Sequence, residues 1–179
     1  MTYIDNALFP NDTGVRDLAR QIVVMGVSGS GKTAIGQALA SILKISFVDG
    51  DDLHPLANRV KMASGIPLTD EDRWVWLEVV GETLSNSAPV VVACSALTKI
   101  YRDRIRTEAP DVQFILLQVP REELEKRMAS RAGHFMPPSL LQSQLDLLEP
   151  LQKDEVGYVI ANIGTIDEEA RLAASYLRS

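Results

Sequence analysis

The sequence predicts an α/β protein with a five-stranded, mostly parallel sheet and helices on both of its faces. Short apolar runs of strand length alternate along the chain with segments whose apolar residues recur at helical spacing. This alternation is typical of parallel sheets, because two parallel neighbours must be joined by a crossover, which is usually a helix. The sequence shows no internal repeat and no low-complexity tract.

The predicted elements follow one another in a regular order. Residues 21–25 form an apolar run that stops at Gly26, as a buried strand does, and residues 32–43 place apolar side chains on one side of a helix. The other predicted strands cover residues 45–48, 89–93, 112–119 and 158–161. The other predicted helices cover residues 73–84, 97–107, 121–131, 139–148 and 167–177. A charged stretch with prolines and a glycine, over residues 51–72, separates the second strand from the next helix.

The composition excludes several classes of function. The chain has 179 residues, of which 46% are hydrophobic and 23% are charged, as is ordinary for one globular domain. Its net charge of −6 disfavours a general nucleic-acid or membrane-surface binder, because both need a basic face. The longest apolar runs fall far short of a membrane span. One cysteine, Cys94, excludes an internal disulfide and is typical of a reducing compartment, so we expect a cytoplasmic protein.

The chain is predicted to divide into a short extension and one domain. Residues 1–20 precede the first core strand, carry turn-forming residues and lack both the basic start and the apolar stretch of a secretory signal. We expect them to be a loosely ordered N-terminal extension. Residues 21–179 are expected to form the single domain.

One motif predicts that this domain binds a nucleoside triphosphate. The pattern GxxxxGK[ST] is matched in full by Gly26, Val27, Ser28, Gly29, Ser30, Gly31, Lys32 and Thr33. The glycines let the backbone curl until several N–H groups face one anionic cavity, and the helix that follows adds the N–H groups of its first turn. Lys32 is expected to reach the β- and γ-phosphates, and the Thr33 hydroxyl is expected to bind Mg²⁺.

Phosphate loops occur in switches, motors and small-molecule kinases, and the residues separate these classes. A GTPase switch needs an Asn-Lys-x-Asp guanine reader, which the sequence lacks. Residues 154–157 match the DxxG switch pattern but lie far downstream of the loop, where such a switch does not fit. A motor or AAA-type ATPase needs an apolar strand that ends in Asp-Glu, whereas the strand over residues 89–93 continues into Cys94 and Ser95. These differences favour a small kinase.

Two carboxylates follow the second predicted strand. Asp49 and Asp51 lie two residues apart, which directs their side chains to the same side of an extended chain. One can hold Mg²⁺ or its water while the other accepts a proton from an attacking hydroxyl. A solvated Asp-rich turn explains the same residues on local evidence, so the pair alone leaves both interpretations open.

Beyond the loop, a series of short stretches stands in a characteristic order and spacing. They are residues 49–55 with Asn58, Lys61 and Met62; 65–74; 94–97 with Tyr101 and Arg102; 134–137; 143–144; and 148–150. With this series, residues 22–160 resemble the small gluconate kinases, or gluconokinases, of the shikimate-kinase-like fold. Two positions depart from that family: Val75 stands where proline is usual, at an expected helix start, and Thr33 replaces a serine while it keeps the hydroxyl for Mg²⁺.

The resemblance implies a three-layer P-loop kinase fold and a reaction. The fold includes an acceptor-binding segment over about residues 51–85 and a mobile lid over about residues 127–138. ATP and D-gluconate would react, with Mg²⁺ as cofactor, to give 6-phosphogluconate and ADP. Asp51 would be the base that faces the substrate hydroxyl, and Asp49 would lie nearer the metal. The acceptor pocket would be lined by His54, Arg59, Lys61 and Arg73.

The predicted lid carries two cations. Arg127 and Arg131 stand i, i+4 on one helical face, which suits a lid that closes positive charge over the ATP phosphates and excludes water. Arg131 is thereby assigned to catalysis together with Lys32. A solvated charged face is the other interpretation of this helix. Further contacts with the acceptor are predicted for Arg102, His134 and Gln144.

Two alternatives to a gluconate kinase stay open. One is a kinase of the same fold that acts on another acceptor, such as shikimate or a nucleoside monophosphate. The other is a non-catalytic ATP-binding regulator, against which the retained loop lysine and the two carboxylates argue. Solvated surface charge explains Arg59 and Lys61 about as well as acceptor contact does. We expect no nucleic-acid or membrane partner, and the resemblance implies a homodimer.

Overall fold

One parallel sheet forms the centre of the computed structural model, which describes residues 21–64, 66, 68–129, 138–161 and 164–178. Within these residues the strands are β1 (Gln21–Met25), β2 (Ser46–Asp49), β3 (Val90–Ala93), β4 (Gln113–Gln118) and β5 (Gly157–Ala161). They lie in the order β2-β3-β1-β4-β5, and every neighbouring pair is parallel. The predicted α/β class with a five-stranded parallel sheet is therefore confirmed. The predicted N-terminal extension and most of the predicted lid lie outside the described residues.

Helices connect the strands and cover both faces of the sheet. In the described residues they are α1 (Lys32–Leu43), α2 (Leu56–Ala63), α3 (Asp70–Asn86), α4 (Lys99–Glu108), α5 (Arg121–Ala129), α6 (Pro138–Leu147) and α7 (Ile166–Tyr176). The bounds of α1 are the predicted ones, and those of the other predicted helices differ by a few residues. None of these helices combines the length and the hydrophobicity that crossing a membrane requires.

Two local features differ from the prediction. The helix α2 lies inside the charged stretch over residues 51–72, for which the sequence predicts no helix. The helix α3 begins at Asp70, because Thr69 caps it: the Thr69 hydroxyl accepts the N–H of Asp72, and the Asp72 carboxylate accepts the N–H of Thr69. Val75 therefore lies in the second turn of α3 and not at a helix start, and its side chain is exposed.

Alternate strand residues face the two helical layers. In β1, Val23 and Met25 pack with α3 and α4, whereas Ile22 and Val24 pack with α1 and α7. All four side chains are fully buried, as expected for a parallel sheet with helices on both faces. A third apolar cluster lies beyond the carboxyl ends of β1 and β4, where it packs α5 and α6 against the phosphate loop. Its buried members are Val27, Leu97, Val119, Leu124 and Leu141.

The order of the strands creates the crevice in which the site lies. The central strand β1 has β3 on one side and β4 on the other. In open parallel sheets of this kind, ligands bind beyond the carboxyl ends of the strands, where the strand order reverses. The segments that follow β1, β2 and β3 all leave the sheet at this edge.

Arg102 is buried, and its guanidinium group binds other groups of the protein interior. Its Nε and Nη2 atoms donate to the carboxylate of Glu155 at 2.5 and 3.0 Å, and both side chains are completely buried. The guanidinium also donates to the backbone carbonyl groups of Ala96, Leu97, Glu149 and Pro150. The sequence predicts that Arg102 contacts the acceptor, and the structure corrects this prediction. The N–H groups of the guanidinium are all taken up by internal acceptors, and its side chain has no exposed surface.

Arg102→Met should lower the free energy of unfolding by about 3–5 kcal/mol, because it leaves a buried carboxylate without its partner. The double variant Arg102→Met/Glu155→Leu should recover only part of this loss, since the buried carbonyl group of Ala96 still lacks its donor. Urea denaturation measures both values. Arg104→Met is the matched control on the same helix: its pairs with Glu78 and Glu108 are partly exposed, so we expect a loss of about 1 kcal/mol or less. Equal losses for the two arginine variants would contradict the structural role of Arg102.

Candidate active site

The phosphate loop leaves β1 through a backbone conformation that favours glycine. Gly26, Gly29 and Gly31 have φ values of 145°, 80° and 91°, in the region that other residues rarely enter. A Cβ atom at Gly26 would also lie 2.9 Å from the carbonyl oxygen of Leu117. The N–H of Gly26 donates to the carbonyl oxygen of Ser95 at 3.3 Å, which ties the loop to the segment after β3. The glycines of the motif are thus required by the shape of the loop.

The N-terminus of α1 opens onto the same loop. Gly31 is the N-cap residue and contributes no side chain to cap the N–H groups of the first turn. The Nζ atom of Lys32 donates to the carbonyl oxygen of Val27 at 3.1 Å, which folds the ammonium group back over the loop. Oriented N–H groups, the positive end of a helix dipole and an ammonium group together suit a ligand rich in anionic oxygen atoms.

Two side chains with oxygen atoms meet beside the loop. The Thr33 hydroxyl, in the first turn of α1, donates to Oδ2 of Asp49 at 2.9 Å, at the end of β2. The other oxygen of this carboxylate accepts the N–H of Asp51 at 3.1 Å. A hydroxyl and a carboxylate are the hard ligands that Mg²⁺ accepts, with phosphate oxygens and water completing its coordination. The residues present therefore fit the predicted magnesium site.

Asp51 is presented by a short 3-10 turn, Gly50–Leu53. The indole N–H of Trp76 in α3 donates to the carbonyl oxygen of Gly50 at 2.7 Å and so fixes the turn. The backbone of Gly50 passes so close to β3 that a Cβ atom there would collide with the carbonyl oxygen of Ala93. Asp51 itself is exposed. The result is an exposed carboxylate on a rigid support, next to the Thr33–Asp49 pair.

His54 follows this turn and is buried against α3. Its ring stacks on that of Trp76, with 4.2 Å between the centroids and 15° between the planes. The side-chain nitrogen of Asn58 donates to the carbonyl oxygen of Asp72 at 2.8 Å and lies 3.4 Å from Nδ1 of His54. Since a carbonyl oxygen only accepts, the contact with Asp72 orients the Asn58 amide with its nitrogen toward His54. Nδ1 of His54 is therefore the acceptor, and Nε2 carries the proton.

The surroundings of His54 favour its neutral form. Burial lowers the pKa of His54 from its ordinary value of 6.5. The carboxylate of Asp51 opposes this shift, and the guanidinium groups of Arg59 and Arg73 add to it. At neutral pH the ring therefore offers hydrogen bonds but no charge.

Two predicted acceptor residues on α2 are engaged by protein groups. The Nε atom of Arg59 donates to the carbonyl oxygen of His54 at 3.0 Å. The Nζ atom of Lys61 contacts both carboxylate oxygens of Asp72, at 2.6 and 2.7 Å. These contacts dock α2 onto the turn before it and onto the start of α3. They place the Arg59 guanidinium beside His54 and the Lys61 ammonium group on Asp72.

Arg73 belongs to a network at the start of α3. Its Nη1 atom donates to the Asp70 carboxylate at 3.0 Å and to the hydroxyl of Tyr101 at 3.3 Å. The Tyr101 hydroxyl in turn donates to Asp70 at 2.6 Å, and this bond is the main cause that lowers the pKa of the Asp70 carboxyl group. The rings of Trp74 and Tyr101 pack in a T-shaped arrangement, with 5.5 Å between the centroids. Arg73 is thus a cation whose position is fixed by two neighbours.

Gln144 and Arg127, both predicted on the lid side of the site, lie on different helices and have different partners. Gln144, in α6, accepts the N–H of Ser28 with its side-chain oxygen at 2.7 Å, so it contacts the phosphate loop. The Nε atom of Arg127 donates to the carboxylate of Glu123, one turn earlier on α5, at 3.0 Å. The other predicted lid residues, which lie outside the described residues, are Arg131 and His134.

The structure adds supporting residues to which sequence reasoning assigned no role in the site. Asn58 orients His54, and Asp70 with Tyr101 orients Arg73. All three stand in the stretches that carry the family resemblance, so the sequence marked their positions. The i, i+3 spacing of Asp70 and Arg73 is a local signal of their ion pair, whereas the contact of Tyr101 with Arg73 joins α4 to α3 and has no local signal.

Comparisons with known proteins identify relatives of this chain. The family model described as Shikimate kinase matches residues 28–172. A thermosensitive gluconokinase of Escherichia coli is 44% identical over 164 residues, which cover 87% of this chain and 88% of that protein. A gluconokinase of Arabidopsis thaliana is 46% identical over 145 residues, which cover 72% of this chain and 77% of that protein. The crystal structure of a gluconokinase from Sinorhizobium meliloti has a TM-score of 0.83 and 46% identity, and it covers 90% of this chain and 93% of its own.

The neutral state of His54 predicts how stability depends on pH. Because burial lowers its pKa, the unfolded chain binds a proton more readily than the folded protein does. The contribution of the neutral His54 ring to the stability is fully present above the ordinary pKa of 6.5, and it is lost as the pH falls below that value. Between about pH 7.5 and about pH 5.5, the free energy of unfolding of the unsubstituted protein should therefore fall more steeply than that of the His54→Gln variant. The two slopes should differ by at most about 1.4 kcal/mol per pH unit. Urea denaturation at several pH values measures both slopes.

The carboxyl groups with lowered pKa do not disturb this comparison. Asp70 and Asp72 shift downward from ordinary values of 3.8, so they titrate below the chosen range. Equal slopes for the two proteins would show that folding leaves the pKa of His54 unchanged, and would contradict the neutral ring.

Proposed function

This chain belongs to the shikimate kinase family and, within it, to the gluconokinases, and we propose that it transfers the γ-phosphoryl group of ATP to a hydroxyl of D-gluconate. The products are 6-phospho-D-gluconate and ADP. The observation that carries the proposal is the meeting of the phosphate loop with Asp49 and Asp51 at one edge of the sheet. The similarity to gluconokinases favours gluconate over shikimate or a nucleoside monophosphate as the acceptor.

ATP and Mg²⁺ are the cosubstrate and the ion that fit the loop and its neighbours. The N–H groups of the loop, the N-terminus of α1 and the ammonium group of Lys32 would hold the phosphates. The Thr33 hydroxyl and the Asp49 carboxylate would hold Mg²⁺, which neutralises phosphate charge when bound. Arg127, half-buried on α5, would add positive charge to the same phosphates after leaving its pair with Glu123.

Asp51 is the candidate general base. Its exposed carboxylate would accept the proton of the gluconate hydroxyl while the hydroxyl oxygen forms its bond to the γ-phosphorus. The bond between the γ-phosphorus and its bridging oxygen breaks at the same time, and ADP leaves with the negative charge of that oxygen. The rigid support of Asp51 matters here, because phosphoryl transfer depends mainly on positioning and on charge neutralisation.

The neighbouring residues suit a hydroxylated anion. Arg73, held by Asp70 and Tyr101, is a positioned cation for the gluconate carboxylate. The Nε2–H of neutral His54 would donate to a hydroxyl. Arg59 and Lys61 lie close enough to His54 and Asp72 to add charge to this pocket.

Two expectations about the whole molecule belong to the proposal. The net charge of −6 and the single, buried cysteine support a cytoplasmic enzyme. The homodimer rests on the resemblance to gluconokinases alone.

Lys32→Ala should lower kcat/KM for gluconate phosphorylation by about 100-fold or more, because it removes the charge that faces the transferring phosphoryl group. An assay coupled to ADP release measures the rate. Lys153→Ala, which removes an exposed lysine, is the matched control and should leave the rate unchanged. Near-normal activity of Lys32→Ala would contradict the phosphate-binding role of the loop.

Asp51→Asn should keep ATP binding but lower kcat by about 100- to 10,000-fold, because an amide cannot accept the hydroxyl proton. Isothermal titration calorimetry with ATP and the ADP-release assay separate the two quantities. Asp52→Asn, on the same turn and also exposed, should retain kcat. An Asp51→Asn enzyme with near-normal kcat would remove the assignment of the base. If the assay gave a higher kcat/KM for shikimate or a nucleoside monophosphate than for gluconate, the acceptor assignment would be overturned.

A further inference from the structure

One peptide unit after β2 is held by hydrogen bonds at both of its edges. The carbonyl oxygen of Gly50 accepts the indole N–H of Trp76 at 2.7 Å. The N–H of the same unit, which belongs to Asp51, donates to Oδ1 of Asp49 at 3.1 Å. In a trans peptide the C=O and N–H groups point in opposite directions, so these two bonds together fix the orientation of the peptide plane.

The glycine at this position makes such a restraint necessary. A Cβ atom at Gly50 would collide with the carbonyl oxygen of Ala93, so the close approach to β3 favours glycine. Glycine, however, restricts its own backbone less than any other residue does. Rotation about ψ of Gly50 and φ of Asp51 would turn the peptide plane while the chain on either side stays in place. The orientation of the plane must therefore come from the hydrogen bonds.

The orientation of this plane bears on the direction of the Asp51 carboxylate. Asp51 is exposed, so close packing does not fix its side chain. The side chain leaves from the Cα atom, and its direction relative to the sheet changes with φ of Asp51. Because the peptide plane sets this angle, a bond that holds the plane also limits where the carboxylate can lie.

Trp76 makes its two contacts with different parts of the indole. It is only 4% exposed and packs in the apolar cluster between the sheet and α3. The face of its ring stacks on His54, with 15° between the planes, whereas the N–H at the ring edge reaches Gly50. The hydrogen bond can therefore be removed while the ring and its stack on His54 are kept.

We propose that Trp76 is a positioning residue for phosphoryl transfer, whose indole N–H holds the peptide unit before Asp51 and thereby directs the Asp51 carboxylate. The inference rests on the proposed function, since it takes Asp51 to be the base. Trp76 acts through the peptide unit and not on the reactants. The hydrogen bonds continue beyond the unit, because the other oxygen of Asp49 accepts the Thr33 hydroxyl. They connect α3 to the first turn of α1.

Two replacements at position 76 remove the N–H. Trp76→Phe keeps an aromatic ring but loses volume as well as the donor. Benzothienylalanine, introduced at position 76 by amber suppression, has sulfur in place of the N–H and keeps the size and shape of the indole. The matched control is Leu84→Val, which removes buried volume from the same helix and the same apolar cluster without removing a hydrogen bond.

The test measures kcat and KM for gluconate in the ADP-release assay, and the exchange rate of the Asp51 amide proton by NMR spectroscopy. We expect both replacements to lower kcat per folded molecule by about 10- to 100-fold, because a displacement of about 1 Å has an effect of this size. We expect the Asp51 amide to exchange about two- to tenfold faster, as the loosening of one hydrogen bond allows. KM for gluconate and all three values of Leu84→Val should stay within about twofold of those of the unsubstituted protein.

Four results would overturn the inference. They are an unchanged kcat in the benzothienylalanine protein, a lowered kcat with unchanged exchange of the Asp51 amide, an equal loss of kcat in Leu84→Val, and a raised KM for gluconate at unchanged kcat. The last result would assign the effect of Trp76 to its stack on His54. A failure of the proposed function looks different, because the unsubstituted protein itself would then release no ADP in response to gluconate.

Discussion

The geometry of the site depends on the pairing of β1 with β3, which continues past the strand ends through two hydrogen bonds, from the N–H of Cys94 to the carbonyl oxygen of Val24 and from the N–H of Gly26 to that of Ser95. It fixes the start of the phosphate loop to the segment after β3. On its other side β3 pairs with β2, and Asp49 lies opposite Ala93 in that register. The loop and the first carboxylate are therefore held at a defined distance although β1 and β2 are not neighbours. The hydrogen bond from the Thr33 hydroxyl to the Asp49 carboxylate then connects the first turn of α1 directly to the end of β2.

The acceptor side is built by side chains and not by the sheet. Trp76 holds the turn that carries Asp51 and also stacks on His54, so one residue of α3 positions both. The cations of this region sit in ion pairs that are partly exposed, such as those of Lys61 and Arg73. Pairs of this kind contribute about 1 kcal/mol or less. In the proposed reaction a substrate carboxylate would therefore draw such a cation away at small cost, whereas the turn that carries Asp51 would stay in place.

The sequence was sufficient wherever function is encoded locally. The eight residues of the phosphate loop specify its conformation, because three glycines must adopt positive φ and the lysine must follow them. The prediction that gluconate is the acceptor came from the family resemblance and not from the chemistry of single residues. The helix α2 was missed although Leu56 and Val60 stand at i, i+4, because it is only eight residues long and because Pro55 reads as a break although it is the N-cap. The contacts of Arg102 and Gln144 join distant positions, 53 and 116 residues apart, so only the folded chain reveals them.

The buried Arg102–Glu155 pair acts on the site through the backbone. Ala96 has a φ of 41°, a left-handed conformation that costs an L residue about 1 kcal/mol or more. This turn lets successive carbonyl groups meet different partners: that of Ser95 accepts from Gly26, and that of Ala96 accepts from Arg102. A buried ion pair is by itself weak evidence of stability, and apolar residues of equal volume often replace one without loss. Here they would leave the buried carbonyl group of Ala96 without its donor, at about 1–3 kcal/mol, whereas the carbonyl groups of Leu97 and Pro150 keep the N–H of Glu149 and the side-chain amide of Gln152. The role of Arg102 is therefore to donate hydrogen bonds. They stabilise the left-handed turn at Ala96, which lies next to the residue that binds the start of the phosphate loop.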